Sequence, residues 1–154
     1  NNIWYYLDKS SGIMQTGWIA DKGVWYYLAS SGAMQTGWIK DKGLWYYLNS
    51  SGAMQTGWIK VDNVWYYLNS NGAMRTGWLD DKGKKYYLSN SGAMVTGWKK
   101  IDEDWYYFNT SGAMVTSQWV GDYYLKADGT MAVNEWIGSY YVDGSGKKVP
   151  GKKR

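Results

Sequence analysis

Paired tryptophans recur along this chain at a spacing that can build walls around a cation. Trp18 and Trp25, Trp38 and Trp45, Trp58 and Trp65, and Trp98 and Trp105 repeat with a period of about 20 residues. A Tyr-Tyr pair follows each second tryptophan, and Met14, Met34, Met54, Met74, Met94 and Met114 hold a third fixed phase. Two indole faces with a tyrosine arriving from the next repeat form an electron-rich, nearly uncharged box. Such a box suits a quaternary ammonium, which offers no hydrogen-bond donor and is drawn to ring quadrupoles. Each cation–π contact is worth roughly 0.5–2 kcal/mol, so a single box binds weakly. Repetition converts weak boxes into avidity for a polymer that displays many ligands.

Composition points the same way. The 154 residues include 12 Trp and 16 Tyr but one Phe. Trp and Tyr combine apolar area with a polar handle, which suits half-exposed surfaces better than a sealed interior. The net charge of +4 is concentrated at one end. Lys147, Lys148, Lys152, Lys153 and Arg154 fall in the last eight residues, leaving 12 basic against 13 acidic residues elsewhere. A neutral repeat body lacks the basic stripe that nucleic-acid binding needs. With no cysteine and no histidine, disulfides, thiolate or imidazole metal sites and any nucleophile–His arrangement are excluded. No cofactor is implied. No apolar run approaches the ~20 residues of a membrane span.

The period defines the elements that must position the boxes. A repeat of this length is one supersecondary unit stacked on its neighbours. Thr36-Gly37-Trp38-Ile39 reads as a short strand and Leu44-Trp45-Tyr46-Tyr47-Leu48 as a second, rich in strand-favouring aromatics. Lys40-Asp41-Lys42-Gly43 is expected as a four-residue hairpin loop, with Gly43 at positive φ. That loop sets Trp38 directly opposite Trp45 on one face and puts Ile39, Leu44, Tyr46 and Leu48 on the other. Asn49 to Met54 is turn chemistry. No helical period appears. A lone hairpin is marginal in water, so the expected fold is all-β, a solenoid of stacked β-hairpins. Residues 1–143 make about seven hairpins, with shortened units at 117–143 as a terminal cap and 144–154 as a basic tail or linker. An unpaired terminal hairpin offers a surface for a possible homodimer. The chain opens in mid-repeat at Asn1-Asn2-Ile3-Trp4, as expected of a module cut from a longer array.

Gly37-Trp38, Trp45-Tyr46-Tyr47-Leu48, Gly52-Ala53-Met54 and Thr56-Gly57-Trp58 closely resemble the choline-binding (cell-wall-binding) repeats of pneumococcal-type surface proteins and murein hydrolases. The resemblance covers residues 1–143. It implies a left-handed β-solenoid and choline held between successive repeats by two Trp, a Tyr of the following repeat and often a Met. The implied ligand is the phosphocholine of teichoic and lipoteichoic acids, and the implied location is the bacterial cell surface. Carried over by position, the first box is Trp18, Trp25 and Tyr46 floored by Met34. The second is Trp38, Trp45 and Tyr66 with Met54, and the third is Trp58, Trp65 and Tyr86 with Met74. Tyr47, Tyr67 and Tyr87 are the alternatives for the third wall, and each Met is either a ligand contact or a gap filler. Trp98, Trp105 and Tyr123 form a fourth box. Lys85 stands where a box on Trp78 needs its second Trp, and Asp122 does the same beside Trp119 and Tyr140. Trp4 and Tyr26 would need a further Trp upstream.

Two rival functions are compatible with the same residues. Glucan- or glycan-binding repeats use similar aromatics, and Gly83-Lys84-Lys85-Tyr86-Tyr87 resembles that type. Sugars, however, need polar side chains around the stacking platform, and the Trp pairs here have mainly apolar neighbours. An enzyme would need an acid–base pair. Asp21, Asp41, Asp62, Asp81 and Asp102 instead recur in the hairpin turns, where Asp has a conformational reason to be. The chain is expected to be a binding module, with any hydrolase or adhesin activity belonging to the full-length parent.

Overall fold

The computed structural model describes residues 3–152, so Asn1 and Asn2, and Lys153 and Arg154 of the basic cluster, lie outside the described residues. Among the described residues there is no helix, and the strands form successive antiparallel hairpins. The chain divides into two compact units, residues 1–75 and 76–154. The first holds three hairpins: β1 (Gly17–Asp21) with β2 (Val24–Leu28), β3 (Gly37–Asp41) with β4 (Leu44–Leu48), and β5 (Gly57–Val61) with β6 (Val64–Leu68). The second holds β7 (Gly77–Asp81) with β8 (Lys84–Leu88), β9 (Gly97–Ile101) with β10 (Asp104–Phe108), and the shorter β11 (Gln118–Val120) with β12 (Tyr123–Leu125). It ends in a three-stranded sheet of β13 (Glu135–Ile137), β14 (Tyr140–Val142) and β15 (Lys148–Val149). Strand β15 lies inside the segment expected as a tail.

The hairpin loop is shorter than the sequence suggests. In β3–β4 the pairs are Trp38 with Tyr47, Ile39 with Tyr46, Lys40 with Trp45 and Asp41 with Leu44, which leaves only Lys42-Gly43 in the turn. Both turn residues have positive φ, 47° and 84°, as a type I′ turn requires. Its twist matches that of the strands, and the ladder gains two pairs over the four-residue alternative. Trp38 therefore faces Tyr47 and meets Trp45 on the diagonal. The register differs by two residues from the expected one, and side chains alternate with a period of two. The faces consequently stay as expected, with Trp38, Lys40, Trp45 and Tyr47 on one and Ile39, Tyr46 and Leu48 on the other.

Each hairpin is anchored by the segment C-terminal to it. Leu28, Leu48, Leu68, Leu88, Phe108, Leu125 and Val142 end the second strands and are fully or almost fully buried. After the hairpin the chain turns and Met54 bridges back to Leu48. In that turn the Asn49 Oδ1 accepts the Ser51 N–H and hydroxyl and the Ala53 N–H. Asp143 does the same with Ser145 and the Lys147 N–H, and these bonds, that of the Ser145 hydroxyl foremost, hold its carboxyl below the usual range. Asp8 and Asp128 are lowered by the hydroxyls of Ser10 and Thr130 in the same way. Such carboxylates are turn acceptors and need no acid–base role.

The turn glycine is fixed by contact as well as by φ. A Cβ on Gly52 (φ 81°) would lie 2.5 Å from the Met34 sulfur, whereas one on Gly57 (φ 72°) meets nothing. Gly57→Ala should therefore cost only the left-handed backbone penalty, about 1–2 kcal/mol. Gly52→Ala should cost more, by up to about 1 kcal/mol, because the flexible Met34 thioether must turn aside. Urea unfolding of the two variants checks this, and equal costs would contradict the packing role of Met34.

Candidate aromatic-cage sites

The face carrying Trp38, Lys40, Trp45 and Tyr47 gives two walls at right angles. The Trp38 and Trp45 rings are 6.4 Å apart at 89°, and Trp58 and Trp65 repeat this at 6.4 Å and 84°. Tyr47 packs edge-on against Trp38 within its own hairpin, at 5.1 Å. The third wall comes from the other face of the next hairpin. Tyr46 lies 4.8 Å from Trp18 and Tyr66 lies 4.9 Å from Trp38. Tyr46 and Tyr66 thus reach back to the preceding repeat, as Tyr106 and Tyr123 do in the second unit, while the second tyrosine of the pair supports the tryptophan of its own hairpin.

The first tryptophan of each pair is half-buried, while the second is open: Trp25, Trp45, Trp65 and Trp105 are 40–46% exposed. An indole needed only for stacking would be covered. Trp18, Trp25 and Tyr46 line a cavity of about 360 Å³ together with Met54, Ser70 and Asn71. Trp98, Trp105 and Tyr123 line one of about 300 Å³ together with Met131 and Ser145.

The methionines are displaced by one repeat from their expected places. Met34 lines a cavity with Trp4, Tyr26 and Asp21 rather than with Trp18 and Trp25. Met54 takes that position. The reason is a backbone link: the Met54 N–H donates to the Trp25 carbonyl at 2.8 Å, Met74 to Trp45 at 2.7 Å, and Met34 to Trp4 at 2.8 Å. The Met34, Met54 and Met74 segments therefore each run beside the Trp-Tyr-Tyr segment of the preceding repeat, which brings Met54 to the first box and Met74 to the second. Ser70, Asn71 and Ser145 carry no sequence signal as lining residues, since they belong to turns one repeat further still. Tyr86 sits on β8 in the second unit, and its place in a third box rests on the sequence period.

Charge is sparse but not absent around the boxes. The Trp18 indole N–H donates to the Asp41 carboxylate at 3.2 Å, which places a negative charge at the first box. Lys40 and Lys60 lie 5.7 and 6.0 Å from the rings of Trp45 and Trp65, their cross-strand neighbours. In β7–β8 this Lys–Trp pair becomes Asp80–Lys85, an exposed ion pair of 3.0 Å. Trp78 keeps its tyrosine, with Tyr106 at 5.0 Å, and leans on Phe108 at 5.9 Å. The Lys85 carbonyl still accepts the Met114 N–H. The scaffold of that box is intact, and its open wall is replaced by an ammonium. Among the described residues no group of three or more His, Cys, Asp or Glu could hold a metal ion.

Choline-binding repeats match residues 1–36, 15–56, 35–74 and 55–96 in one form and 113–147 in another, and a cell wall binding repeat matches 96–114. The chain belongs to the choline-binding repeat family. It is similar to CbpJ from Streptococcus pneumoniae TIGR4, at 45% identity over 96% of this chain with a TM-score of 0.88. Choline binding protein F from Streptococcus pneumoniae, in a structure with a peptidoglycan analogue, gives 43% identity over 97% and 0.88. The chain spans 55% of the length of each of these two. The choline-binding domain of CbpL from Streptococcus pneumoniae gives 31% identity over 90%, a TM-score of 0.61 and 99% coverage of that domain. Comparison with curated proteins gives no match. The fold is thus the all-β solenoid of stacked hairpins found in choline-binding proteins, and the repeats are binding modules of cell-wall-associated proteins.

Core and open wall separate by mutation. Leu48→Ala empties a fully buried position and should cost about 2–5 kcal/mol. Trp45→Ala removes a larger side chain that is 41% exposed and should cost less than Leu48→Ala. Urea unfolding gives both values, and the reverse order would make Trp45 a core residue.

Proposed function

We propose that this chain anchors its parent protein non-covalently to the bacterial cell wall by binding the choline of teichoic and lipoteichoic acids. The carrying observation is the open second tryptophan set against Tyr46, Trp18 and Met54 in one small cavity. A trimethylammonium there would meet π-faces on three sides and a thioether on a fourth, and the nearby Asp41 carboxylate adds attraction for a cation. A choline-sized ligand also fits a cavity that is lined by aromatic rings and offers few polar groups. The bacterial surface is the corresponding location, and any hydrolase or adhesin activity resides elsewhere in the parent. The glycan-binding reading has less support, because the rings of the first cavity are joined by few polar groups, the Ser70 hydroxyl, the Asn71 amide and the Tyr46 hydroxyl, with the Asp41 carboxylate beside Trp18.

Choline should raise the melting temperature in a concentration-dependent manner, since its sites are shared between consecutive repeats. By mass action each site adds about 2.7 kcal/mol at a hundredfold excess over its Kd. Thermal melts followed by circular dichroism measure this. An unmoved melting temperature at saturating choline, alongside a shift with glucan oligosaccharides, would reverse the assignment.

Internal variation supplies a second test. Trp45→Ala should remove one choline site and weaken retention on a choline-bearing matrix through lost avidity. Lys85→Trp should add a site built on Trp78, the introduced indole and Tyr106, because a repelling ammonium gives way to an attracting π-face. Calorimetric titration counts the sites. Choline already bound at Trp78 in the unaltered protein, or no gain in Lys85→Trp, would contradict the box as drawn.

A further inference from the structure

The last aromatic box of the second unit already contains a cation. Trp119 on β11 and Tyr140 on β14 stand 5.8 Å apart at 86°, in the relation that Trp98 and Tyr123 have at 5.2 Å and 72°. The Lys148 N–H donates to the Asp122 carbonyl at 2.9 Å, as the Met131 N–H donates to the Trp105 carbonyl at 2.8 Å. Lys148 therefore occupies the methionine position of this box, and Asp122 the second tryptophan position. The Lys148 Nζ lies 3.5 Å from the Tyr140 ring centre and 5.5 Å from that of Trp119.

Lys148 is not a loose surface lysine. Its backbone pairs with Val142 of β14 on one side and bonds to Asp122 on the other, and the residue is half-buried. Met at this position contributes a neutral thioether to an open cavity. Lys of similar length carries its own ammonium to where a bound cation would sit.

We propose that the Trp119–Tyr140 box is a cation site whose resident ligand is Lys148, so that this repeat is filled from within and closed to external quaternary ammonium. An ammonium already between the rings satisfies their quadrupoles and repels a second cation. The terminal repeat is thereby stabilised without ligand, while the preceding boxes gain their occupant from outside. The closure to choline rests on the choline-anchoring function; the holding of Lys148 between the rings does not.

Nuclear magnetic resonance of the full chain tests both parts. Ring currents should place the Lys148 ε-methylene signal upfield of the solvated lysines, together with that of Lys152, whose Nζ lies 3.2 Å from the Tyr141 ring centre; the Lys148 signal is the one that should vanish in Lys148→Met and return to the solvated position in Tyr140→Leu. Choline should leave it unmoved at concentrations that shift the indole signals of Trp18, Trp25, Trp98 and Trp105. Lys148→Met should also lower the ligand-free melting temperature more than Lys147→Met, which alters an exposed residue. A Lys148 signal at the solvated position, or equal effects of the two substitutions, would overturn the resident-ligand assignment. Displacement of the signal by choline would overturn the closure. If choline shifts no indole while the upfield signal persists, the choline reading fails and Lys148 remains the internal occupant.

Discussion

A hairpin of two five-residue strands cannot bury enough surface to stay folded alone, and every other feature of this molecule answers that constraint. The bond from a methionine N–H to the tryptophan carbonyl of the preceding repeat ties one hairpin to the next. The same segment carries the leucine at the strand end into a sealed position. Because the link is made through the backbone, it survives where the side chain changes, as at Lys85 and Asp122. Side chains at these positions are thus free to vary in function without loss of the stack.

The link also explains how binding is built. It sets the second strand of one repeat beside the methionine of the next, while Tyr46 reaches back to Trp18 from the opposite face of its hairpin. A cavity assembled from consecutive repeats exists only in the stacked state. On the proposed function, ligand and fold would reinforce each other, and the exposed indoles, costly for solubility if purposeless, would acquire a reason. The variations obey the same geometry. Asp80–Lys85 removes an open wall, and Lys148 supplies a cation in place of a floor.

Much of this is legible in the residues. The period marks the hairpins, the alternation marks the faces, and the resemblance indicates the class of ligand. The residues leave two candidates for the tyrosine of each box, and the contacts of Tyr46 with Trp18 and Tyr66 with Trp38 distinguish them from Tyr47 and Tyr67. Features set by the depth of the stack are not legible. The turn reads too long because a lysine at positive φ, as in Lys42, leaves no compositional mark. Register by two residues is invisible to a face argument, since it moves every pair and flips none. The methionines read one repeat early because sequence phase cannot tell which neighbour a connecting segment lies against. Lys148 reads as part of a charged tail, and only its pairing in β15 shows it as a member of a box.

The most direct test is a crystal structure of the chain with choline. Density for the trimethylammonium is expected between Trp18, Trp25 and Tyr46 with Met54 rather than Met34 in contact, its nitrogen within about 6 Å of the ring centres. The same is expected among Trp98, Trp105, Tyr123 and Met131, with Trp78 bare and Lys148 still over Tyr140. Cavities that remain empty at saturating choline, or choline seated against Trp78 and Lys85, would contradict the aromatic box as the seat of binding.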